Sequence, residues 1–532
     1  MSCLSCLTCR NCGFVNIIPL QPQLQNTTAI QSSDSFVSQI LRGLRPLLDS
    51  EYTLFNAEIV KLKRLRSLYD TQLQEIELHR HTVLKALESR KSIFAPIRRL
   101  PQDLLIQIFH SVSDSWWQET RGNYHLKQER HSLDVSGPLW VLGRVCGLWR
   151  DILHTLPALW AQNVVVKYPF SKHAHKILQA HLEYSGEQPL TIQATFSGRH
   201  ELTRGEAIMS LLVQSCNRWK NVRIRIVPHH AHHLESIANL PVLQTFGLDF
   251  IQDYRSRYCL DICLKAPQLW QASLPSRGIH QLRIPSRITQ YSGCITCAED
   301  LRLLAGLPNL ETCHLLPWRA SVVHISTPAV VAKLRYLYVN DPDSLDFLTA
   351  PLLQSLTISQ IPLGGSLTPV TSFFRRSGCH LESLSLSMCM QTCLLNDPDL
   401  NDMINMLSSE ACSTISRLKI ELGKYMHRVT KILTHHSSLP NLRHLILCNV
   451  TNIKNEAWNS IPKMIRSRRD AGLVKIVELR FADDKYEASN AKYATTADIR
   501  GLTGDNLEMR VEELNPPSEE HLLIFDHVIF FE

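Results

Sequence analysis

The sequence has neither an apolar run long enough for a bilayer nor a strong excess of charge of one sign. Its 532 residues contain no uninterrupted apolar segment of the roughly 18 to 20 residues that a membrane-spanning helix needs. The N-terminus lacks the basic segment and continuous apolar core of a secretory signal peptide. A net charge of +7 is too diffuse over this length to indicate nucleic acid. We therefore predict a soluble protein of the cytoplasm or nucleus, with neither nucleic acid nor membrane as a partner.

Glycine is also scarce, and the motifs of common catalytic sites are absent. Only 20 glycines leave few sharp turns, and the chain has no phosphate-binding Gly-rich loop, no Gly-x-Ser-x-Gly elbow and no His-Glu-x-x-His. The run "HHAHH" at 229–233 has no matching Cys or carboxylate pair beside it, which favours a solvated loop. Cys294 and Cys297 have no second pair at zinc spacing. The sequence thus predicts a protein that is not an enzyme and holds no metal or cofactor.

The sixteen cysteines have no spacing that suggests a disulfide framework, which favours a reducing compartment. Four of them recur at every third position near the N-terminus: Cys3, Cys6, Cys9 and Cys12. Zinc sites separate their Cys-x-x-Cys pairs by roughly a dozen residues or more, and the bacterial iron–sulfur run ends in a spacing of three and a proline. Here the last spacing is two and Gly13 follows. We predict that residues 1–33 form a disordered Cys- and Gln-rich tail with exposed thiols.

A heptad pattern follows the tail and predicts a long helix over residues 34–92. The pattern alternates spacings of four and three without a slip, with arginine at two positions: Leu48, Tyr52, Phe55, Ile59, Leu62, Arg66, Tyr69, Leu73, Ile76, Arg80, Val83 and Leu87. Pro46 is expected to bend or restart the helix near its beginning. Two interpretations are open, a coiled coil with a partner chain or an amphipathic helix folded back on its own protein.

Residues 93–165 contain two short apolar motifs separated by a polar insertion. In "IRRLPQDLLIQIFHSV", a proline and an aspartate suit the first turn of a helix, and four apolar residues share one face: Leu104, Leu105, Ile108 and Phe109. A helix this short is not stable alone, so that face is expected to be buried on something. The second motif, "VCGLWRDILHTLPALW", again places bulky apolar residues on one side, and the "VVV" after it begins a strand.

The two motifs together resemble an F-box, the helical module that docks proteins onto the Skp adaptor of cullin-based ubiquitin ligases. The positions that match the pattern of that family are Leu100, Pro101, Leu104, Leu105, Ile108, Phe109, Val145, Cys146, Trp149, Arg150 and Trp160. The insertion "SDSWWQETRGNYHLKQERHSLDVSG" is longer and more polar than the family norm, which affects the expected geometry of the second helix. A large group of such proteins in basidiomycete fungi is similar in having a heptad helix, then "PIRRLP", then an elongated F-box.

The resemblance implies that these residues, Arg150 apart, bind the C-terminal helices of the adaptor and through it a cullin. The chain would then be the substrate-recruiting subunit of an SCF-type (Skp-cullin-F-box) ubiquitin ligase, without chemistry of its own. The alternative is that the first helix is ordinary core, and that the protein is an interaction scaffold with no ubiquitin role. Exposure of Leu104, Leu105, Ile108 and Phe109 would distinguish the two interpretations.

Residues 166–532 repeat a short core of the form apolar-x-x-apolar-x-apolar. It begins at residues 219, 243, 269, 279, 310, 334, 353, 381, 415, 442 and 474, with intervals of 19 to 34 residues apart from one of 10. This form resembles degenerate leucine-rich repeats, each a short strand followed by a return segment. We expect helical return segments at 401–407 and 425–433, an irregular α/β solenoid, and a target protein bound on its surface. The acidic, apolar C-terminal end is interpreted as either a cap or a tail docked on the array.

Overall fold

The computed structural model divides the chain into two compact units, residues 1–100 and residues 101–532. It describes residues 7–8, 15–16, 34–118, 130–196, 202–251, 259–275, 278–316, 328–361, 367–388, 403, 405–421, 426–449, 455–482, 501–502 and 507–514. The four N-terminal cysteines, residues 119–129 of the insertion in the helical region and the last eighteen residues lie outside the described residues, as do the predictions made for them. The predicted boundaries at residues 33, 92 and 165 stay predictions.

The first unit begins with two short strands, β1 (Leu7–Thr8) and β2 (Val15–Asn16), which pair antiparallel. Regular structure at these four residues differs from the predicted disordered tail. Thr8 and Val15, which are paired in the register of the two strands, are β-branched residue types that favour extended backbone.

The predicted long helix is two helices, α1 (Asp34–Leu41) and α2 (Asp49–Ile93). Pro46 lies in the interruption, as expected of a residue that lacks an amide hydrogen and cannot continue a helix. At the start of α2, the carboxylate of Glu51 accepts a hydrogen bond from the backbone N–H of Leu48 at 3.3 Å. The heptad pattern therefore coincides with α2, which has 45 residues.

The second unit starts with four helices: α3 (Gln102–Gln118), α4 (Pro138–Val145), α5 (Gly147–His154) and α6 (Pro157–Ala161). Pro138 and Pro157 occupy first positions of helices, where the missing amide hydrogen costs nothing. Cys146 has extended backbone, with φ of −163°, and separates α4 from α5. The helical region predicted from the two apolar motifs is therefore present.

A parallel sheet of fourteen strands follows in the described part of the chain. Its strands are β3 (Val164–Lys167), β4 (Leu190–Thr195), β5 (Trp219–Ile226), β6 (Thr245–Phe250), β7 (Gln271–Leu274), β8 (Gln290–Cys294), β9 (Thr312–Leu316), β11 (Tyr336–Val339), β13 (Ser355–Ile361), β14 (Ser383–Met388), β15 (Arg417–Glu421), β16 (His444–Asn449), β17 (Ile476–Ala482) and β18 (Glu508–Leu514). Their order in the sheet follows their order in the chain, and β10 (Ala329–Val330) pairs separately with β12 (Leu348–Thr349).

Helices lie between many of these strands: α7 (Ala174–Tyr184), α8 (Leu202–Gln214), α9 (Ala231–Glu235), α10 (Ala298–Ala305), α11 (Thr368–Ser377), α12 (Met426–Leu433) and α13 (Asn455–Asp470). Alternate strand residues, such as Leu384 and Leu386 of β14, enter one extended apolar core with helix residues such as Leu433. Helix α12 confirms the return segment expected at 425–433, and residues 405–407 of the other expected segment are helical. The fold is mixed α/β, with a long N-terminal helix and a large parallel sheet.

Ten of the eleven repeated cores contain a strand of this sheet, and the core at 279 does not. Residues Ile279–Gln281 form a 3-10 turn, and Leu282 makes an isolated parallel bridge to Leu260. The backbone N–H of His280 donates to the carboxylate of Asp300 at 3.0 Å instead of to a neighbouring strand. The strand between β7 and β9 in the sheet is instead β8, whose residues "QYSGC" lack the repeated leucines. The repeated cores also do not predict strands β4 and β18.

Among the residues that the structure describes, no helix combines the length and apolar character needed to cross a bilayer.

Candidate functional site

Helix α3 divides its apolar residues between two faces. Leu105 and Phe109 are fully buried, whereas Leu104 is 43% exposed and Ile108 is half-buried. Val112, which is exposed, continues the second face at the same spacing of four. The four residues predicted to share one face span about 140° of arc, because a helix advances about 100° per residue. An arc this wide extends from the core to the surface, so the helix buries only part of it.

The buried half of this arc packs against aromatic residues of the following helices. The Phe109 ring meets the Trp149 ring edge-on, with centroids 5.1 Å apart. Trp160 is also buried, and its indole N–H donates to the Leu153 carbonyl at 3.3 Å. Residues matched to the adaptor-binding pattern thus form the core of the helical region.

His181 completes this core on the side of Trp160. Its Nε2–H donates to the Trp160 carbonyl at 2.9 Å, and the two rings stand edge-on with centroids 5.1 Å apart. Burial lowers the pKa of His181 to about 4, so the ring is neutral near pH 7 and supplies a hydrogen-bond donor without a charge.

Exposed apolar side chains continue on α4 and α5. Helix α4 buries Leu139 and Leu142, which leaves Val141 and Val145 in solvent. On α5, Leu148 is exposed beside the buried Trp149. We call the exposed apolar surface the set of Leu104, Ile108, Val112, Val141, Val145 and Leu148. The three helices that carry it pack against one another.

The ten predicted adaptor-binding residues therefore fall into three groups. Four are core: Leu105, Phe109, Trp149 and Trp160. Three are exposed, namely Pro101, Leu104 and Val145, and three are half-buried, namely Leu100, Ile108 and Cys146. Leu100 belongs to the first unit, at its last residue. Leu104, Leu105, Ile108 and Phe109 lie on one arc of α3, as predicted from their spacing, and the core covers Leu105 and Phe109 while Leu104 stays exposed.

Sequence reasoning missed three members of the exposed apolar surface, Val112, Val141 and Leu148. A signal for two of them was present in the sequence. Val112 stands four residues after Ile108 and Val141 four residues before Val145, so each lies on the same helix face as a predicted residue.

The face of the sheet opposite the core helices carries polar side chains in register. Thr357, Ser385 and Lys419 occupy matched positions of three successive strands. Near the end of the sheet, the buried carboxylate of Glu478 is bound by Nε2 of His444 at 2.9 Å and by the Arg480 guanidinium at 2.7 Å. Burial raises the pKa of Glu478, but the Arg480 and His444 contacts outweigh it and hold the pKa below its ordinary value. This face is therefore polar with embedded ion pairs.

The "HHAHH" run is not the solvated loop that was predicted. Residues Pro228–His230 form a 3-10 turn and α9 begins at Ala231, because apolar positions of the segment enter the core. His230 is buried, which lowers its pKa to about 4, and exposed His229 lies 2.9 Å from the Glu206 carboxylate. The run thus forms a turn and a short helix on the protein.

A cluster of His280, Cys297 and Asp300 is the one group of potential metal ligands among the described residues, with ligand atoms within 4.8 Å of one another. Asp300 is fully buried, and Gly278 makes room for it, since a Cβ there would stand 2.2 Å from its Oδ2. The carboxylate accepts from N and Oγ1 of Thr296, N of Cys297, and N and Nδ1 of His280, at 2.7 to 3.1 Å.

These contacts assign the cluster a capping role at the start of α10. Asp300 accepts five hydrogen bonds from nitrogen and oxygen donors, and the Cys297 sulfur lies 3.6 Å from its Oδ2, so the roughly four lone-pair positions of the carboxylate are occupied. Burial raises the pKa of Asp300, and the His280 and Thr296 bonds outweigh it and lower the pKa. The Cys297 sulfur lies 3.6 Å from Nδ1 of His280, the same nitrogen that binds Asp300, whereas a Cys-His-Asp relay uses both ring nitrogens. The Cys-x-x-Cys spacing marks Cys297 in the sequence, whereas no motif marks His280 or Asp300.

No family model matches the sequence, and no curated protein matches it. Among solved structures, a crystal structure of a protein from Bacteroides fragilis is similar to this chain with a TM-score of 0.31 and 15% sequence identity, over 68% of this chain and 88% of that one. A similarity of this size indicates neither a shared fold nor a shared function.

Proposed function

We propose that this protein is the substrate-recruiting subunit of an SCF-type ubiquitin ligase. In this proposal, the helical region is an F-box that docks a Skp adaptor, and through it a cullin, while the repeats of the parallel sheet hold a target protein. The observation that carries the proposal is the exposed apolar surface, which stands on the two motifs that resemble an F-box. The chain raises the effective concentration of target lysines near a conjugating enzyme and does no chemistry itself.

The exposed apolar surface offers apolar area for docking and is supported by packed side chains behind it. Covering roughly 50 Å² on each of its six residues removes about 300 Å² of apolar area from water, worth ~8 kcal/mol before the cost of association. The buried Phe109–Trp149 pair behind it joins α3 to α5. A rigid apolar platform binds with less loss of side-chain freedom than a flexible one.

The distribution of burial refines which residues would touch the adaptor. We assign direct contact to Pro101, Leu104, Ile108 and Val145 from the predicted set, with Val112, Val141 and Leu148 added. Leu105, Phe109, Trp149 and Trp160 support this surface from behind, since each is already buried within the chain. In this assignment, a residue matched to the family pattern either contacts the adaptor or packs in the core beneath the contact surface.

The order of the strands supports a leucine-rich-repeat-like solenoid as the target-binding part. Each strand of the fourteen-stranded sheet pairs with its neighbours in chain order, which is how stacked repeats add to an array. The face bearing Thr357, Ser385 and Lys419 offers hydroxyl and charged groups to a partner. A polar face with ion pairs suits a protein target recognised by hydrogen bonds and charge.

A second candidate is an interaction scaffold without a ubiquitin role. The burial of Leu105 and Phe109 favours it, because these residues have the ordinary function of core side chains. The two candidates differ in one consequence, since only the ligase subunit captures a Skp adaptor.

Co-purification of the full chain with a Skp adaptor tests the proposal. We expect the wild type to retain the adaptor and a Leu104→Asp, Val145→Asp variant to lose it, because two charges would be buried at the interface. A Leu352→Asp variant is the control, since Leu352 is an exposed leucine in a turn between sheet strands. Failure of the folded wild type to bind, or binding by the double variant, contradicts the proposal and favours the scaffold.

A further inference from the structure

Helix α2 presents a long apolar stripe to solvent. None of its 45 residues, all of which the structure describes, is buried. Tyr52 and Ile76 are 60% and 61% exposed, and the other apolar heptad positions are exposed or half-buried. The helix is about 67 Å long at 1.5 Å per residue. An apolar stripe of this length is typical of an interaction surface.

We propose that α2 pairs with α2 of a second copy of this chain in an antiparallel two-stranded coiled coil. The a positions of the heptad are Tyr52, Ile59, Arg66, Leu73, Arg80 and Leu87, and the d positions are Phe55, Leu62, Tyr69, Ile76, Val83 and Arg90. The proposal is independent of adaptor docking, because it uses no residue of the exposed apolar surface.

The ends of the helix and the heptad specify the same alignment. Placing Asp49 opposite Ile93 of the second copy overlaps the two helices over their full length. In this alignment every a position stands opposite a d position, which is the layer arrangement of antiparallel coiled coils. Ile59 then faces Val83, and Leu87 faces Phe55.

Three a or d positions are arginine, and the two inner ones, Arg66 and Arg80, favour the antiparallel orientation over the parallel one. A parallel pair would place Arg66 against Arg66 and Arg80 against Arg80, which juxtaposes like charges at the seam. In the antiparallel pair, Arg66 stands opposite Ile76 and Arg80 opposite Leu62. The aliphatic stems cover these apolar neighbours while the guanidinium groups reach solvent. Within the same helix, Nε of Arg66 lies 3.7 Å from Asp70.

The charged residues beside the seam are complementary in the same orientation. The e positions of two antiparallel helices face each other, which pairs Asp49 with Lys91 and Lys63 with Glu77, each twice by symmetry. Among the e positions, only Asp70 stands opposite the same residue of the second copy. The parallel pair would offer a single attractive combination, Glu58 with Lys63. Charge complementarity therefore selects the antiparallel pair.

The area available is sufficient for a stable dimer. About nine apolar seam side chains per helix, each covering roughly 80 Å², bury on the order of 1,400 Å² over both copies. Specific protein–protein interfaces bury about 1,200 to 2,000 Å² in total. A second copy of this chain thus matches the stripe in length, charge pattern and area.

The first test is the molar mass of the full chain by size-exclusion chromatography with light scattering, over a dilution series. We expect a dimer for the wild type and a monomer for Leu73→Asp, Ile76→Asp, with the dimer Kd raised at least about 100-fold. The matched control is Leu54→Asp, Leu78→Asp, because both leucines are exposed on α2 outside the a and d positions. A monomeric wild type, or a dimer that survives the seam variant, overturns the proposal.

The second test determines the orientation of the two helices by exchanging exposed charged residues of α2, whose substitution is not expected to affect folding. Lys63→Glu is expected to raise the dimer Kd about tenfold. Adding Glu77→Lys restores the wild-type Kd in the antiparallel pair, whereas adding Glu58→Lys restores it only in the parallel pair. Rescue by Glu58→Lys, or by neither change, overturns the antiparallel assignment.

Discussion

Helices α2 and α3 have similar apolar patterns, but they differ in how much of the apolar face is buried. In α3, the apolar arc is shared, with Leu105 and Phe109 in the core and Leu104 in solvent. In α2, no side chain is buried among residues that are all described. Periodicity therefore shows which face of a helix is apolar, whereas the neighbouring elements determine how much of that face is covered.

The largest expected effect comes from emptying the buried side of α3. Phe109→Ala removes a fully buried ring that packs on Trp149, and we expect it to lower the free energy of unfolding by about 3 to 5 kcal/mol. Thermal unfolding followed by circular dichroism measures this loss. A change below about 1 kcal/mol would contradict the assignment of Phe109 to the core.

A buried and an exposed carboxylate stand side by side at the start of α10, Asp300 and Glu299. Asp300→Ala removes a buried carboxylate and leaves its donors without a partner, so we expect a loss of roughly 3 kcal/mol. Glu299→Ala is the matched control, since its neighbouring side chain is exposed in a surface ion pair and its loss is expected to cost under about 1 kcal/mol. Equal unfolding temperatures for the two variants would refute the capping role.

Acid is expected to weaken the core beside Trp160 through His181. The folded pKa of about 4 lies below the ordinary value of 6.5, so the unfolded chain binds a proton more readily. The stability that His181 contributes is therefore complete above pH 6.5 and is lost as the pH falls towards 4, by about 2 kcal/mol at pH 5. His181→Gln keeps a donor for the Trp160 carbonyl and does not titrate. We expect the variant to lose less stability than the wild type between pH 7 and pH 5, measured by chemical unfolding.

The smallest expected effect on stability comes from the exposed side of α3. Leu104→Ala leaves no buried cavity, because the side chain is already 43% exposed, and we expect the free energy of unfolding to change by less than about 1 kcal/mol. Adaptor capture by the same variant is expected to weaken at least tenfold, which an affinity measurement on the purified chain would show. A strongly destabilised Leu104→Ala would remove the contrast between the two sides of α3.

Much of the architecture follows from local patterns. The heptad spacing and Pro46 predict α2 and its start, and the repeated cores predict ten strands of the sheet. Local patterns predicted the wrong strand where a residue distant in sequence determines the backbone conformation. His280 binds Asp300 twenty residues later, so the core at 279 leaves the sheet and β8 takes its place.

The exposed residues of the helical region could be predicted only in part, again because burial depends on residues distant in sequence. The two motifs correctly indicate a small helical region, yet they do not separate Leu104 from Leu105. Burial depends on which side of α3 meets Trp149 and the other aromatic residues, and the spacing of residues along one helix does not contain that information.

By itself, the sequence determined the α/β class, the long helix and the positions of most strands. These features depend on spacings of two, three and a half, and seven residues along one segment, which a single chain displays directly. Tertiary contacts, by contrast, make Phe109 core and Leu104 surface, bring His280 to the Asp300 carboxylate that caps α10, and keep His181 neutral. Each of these depends on groups brought together from distant parts of the chain, where packing and desolvation set the energies.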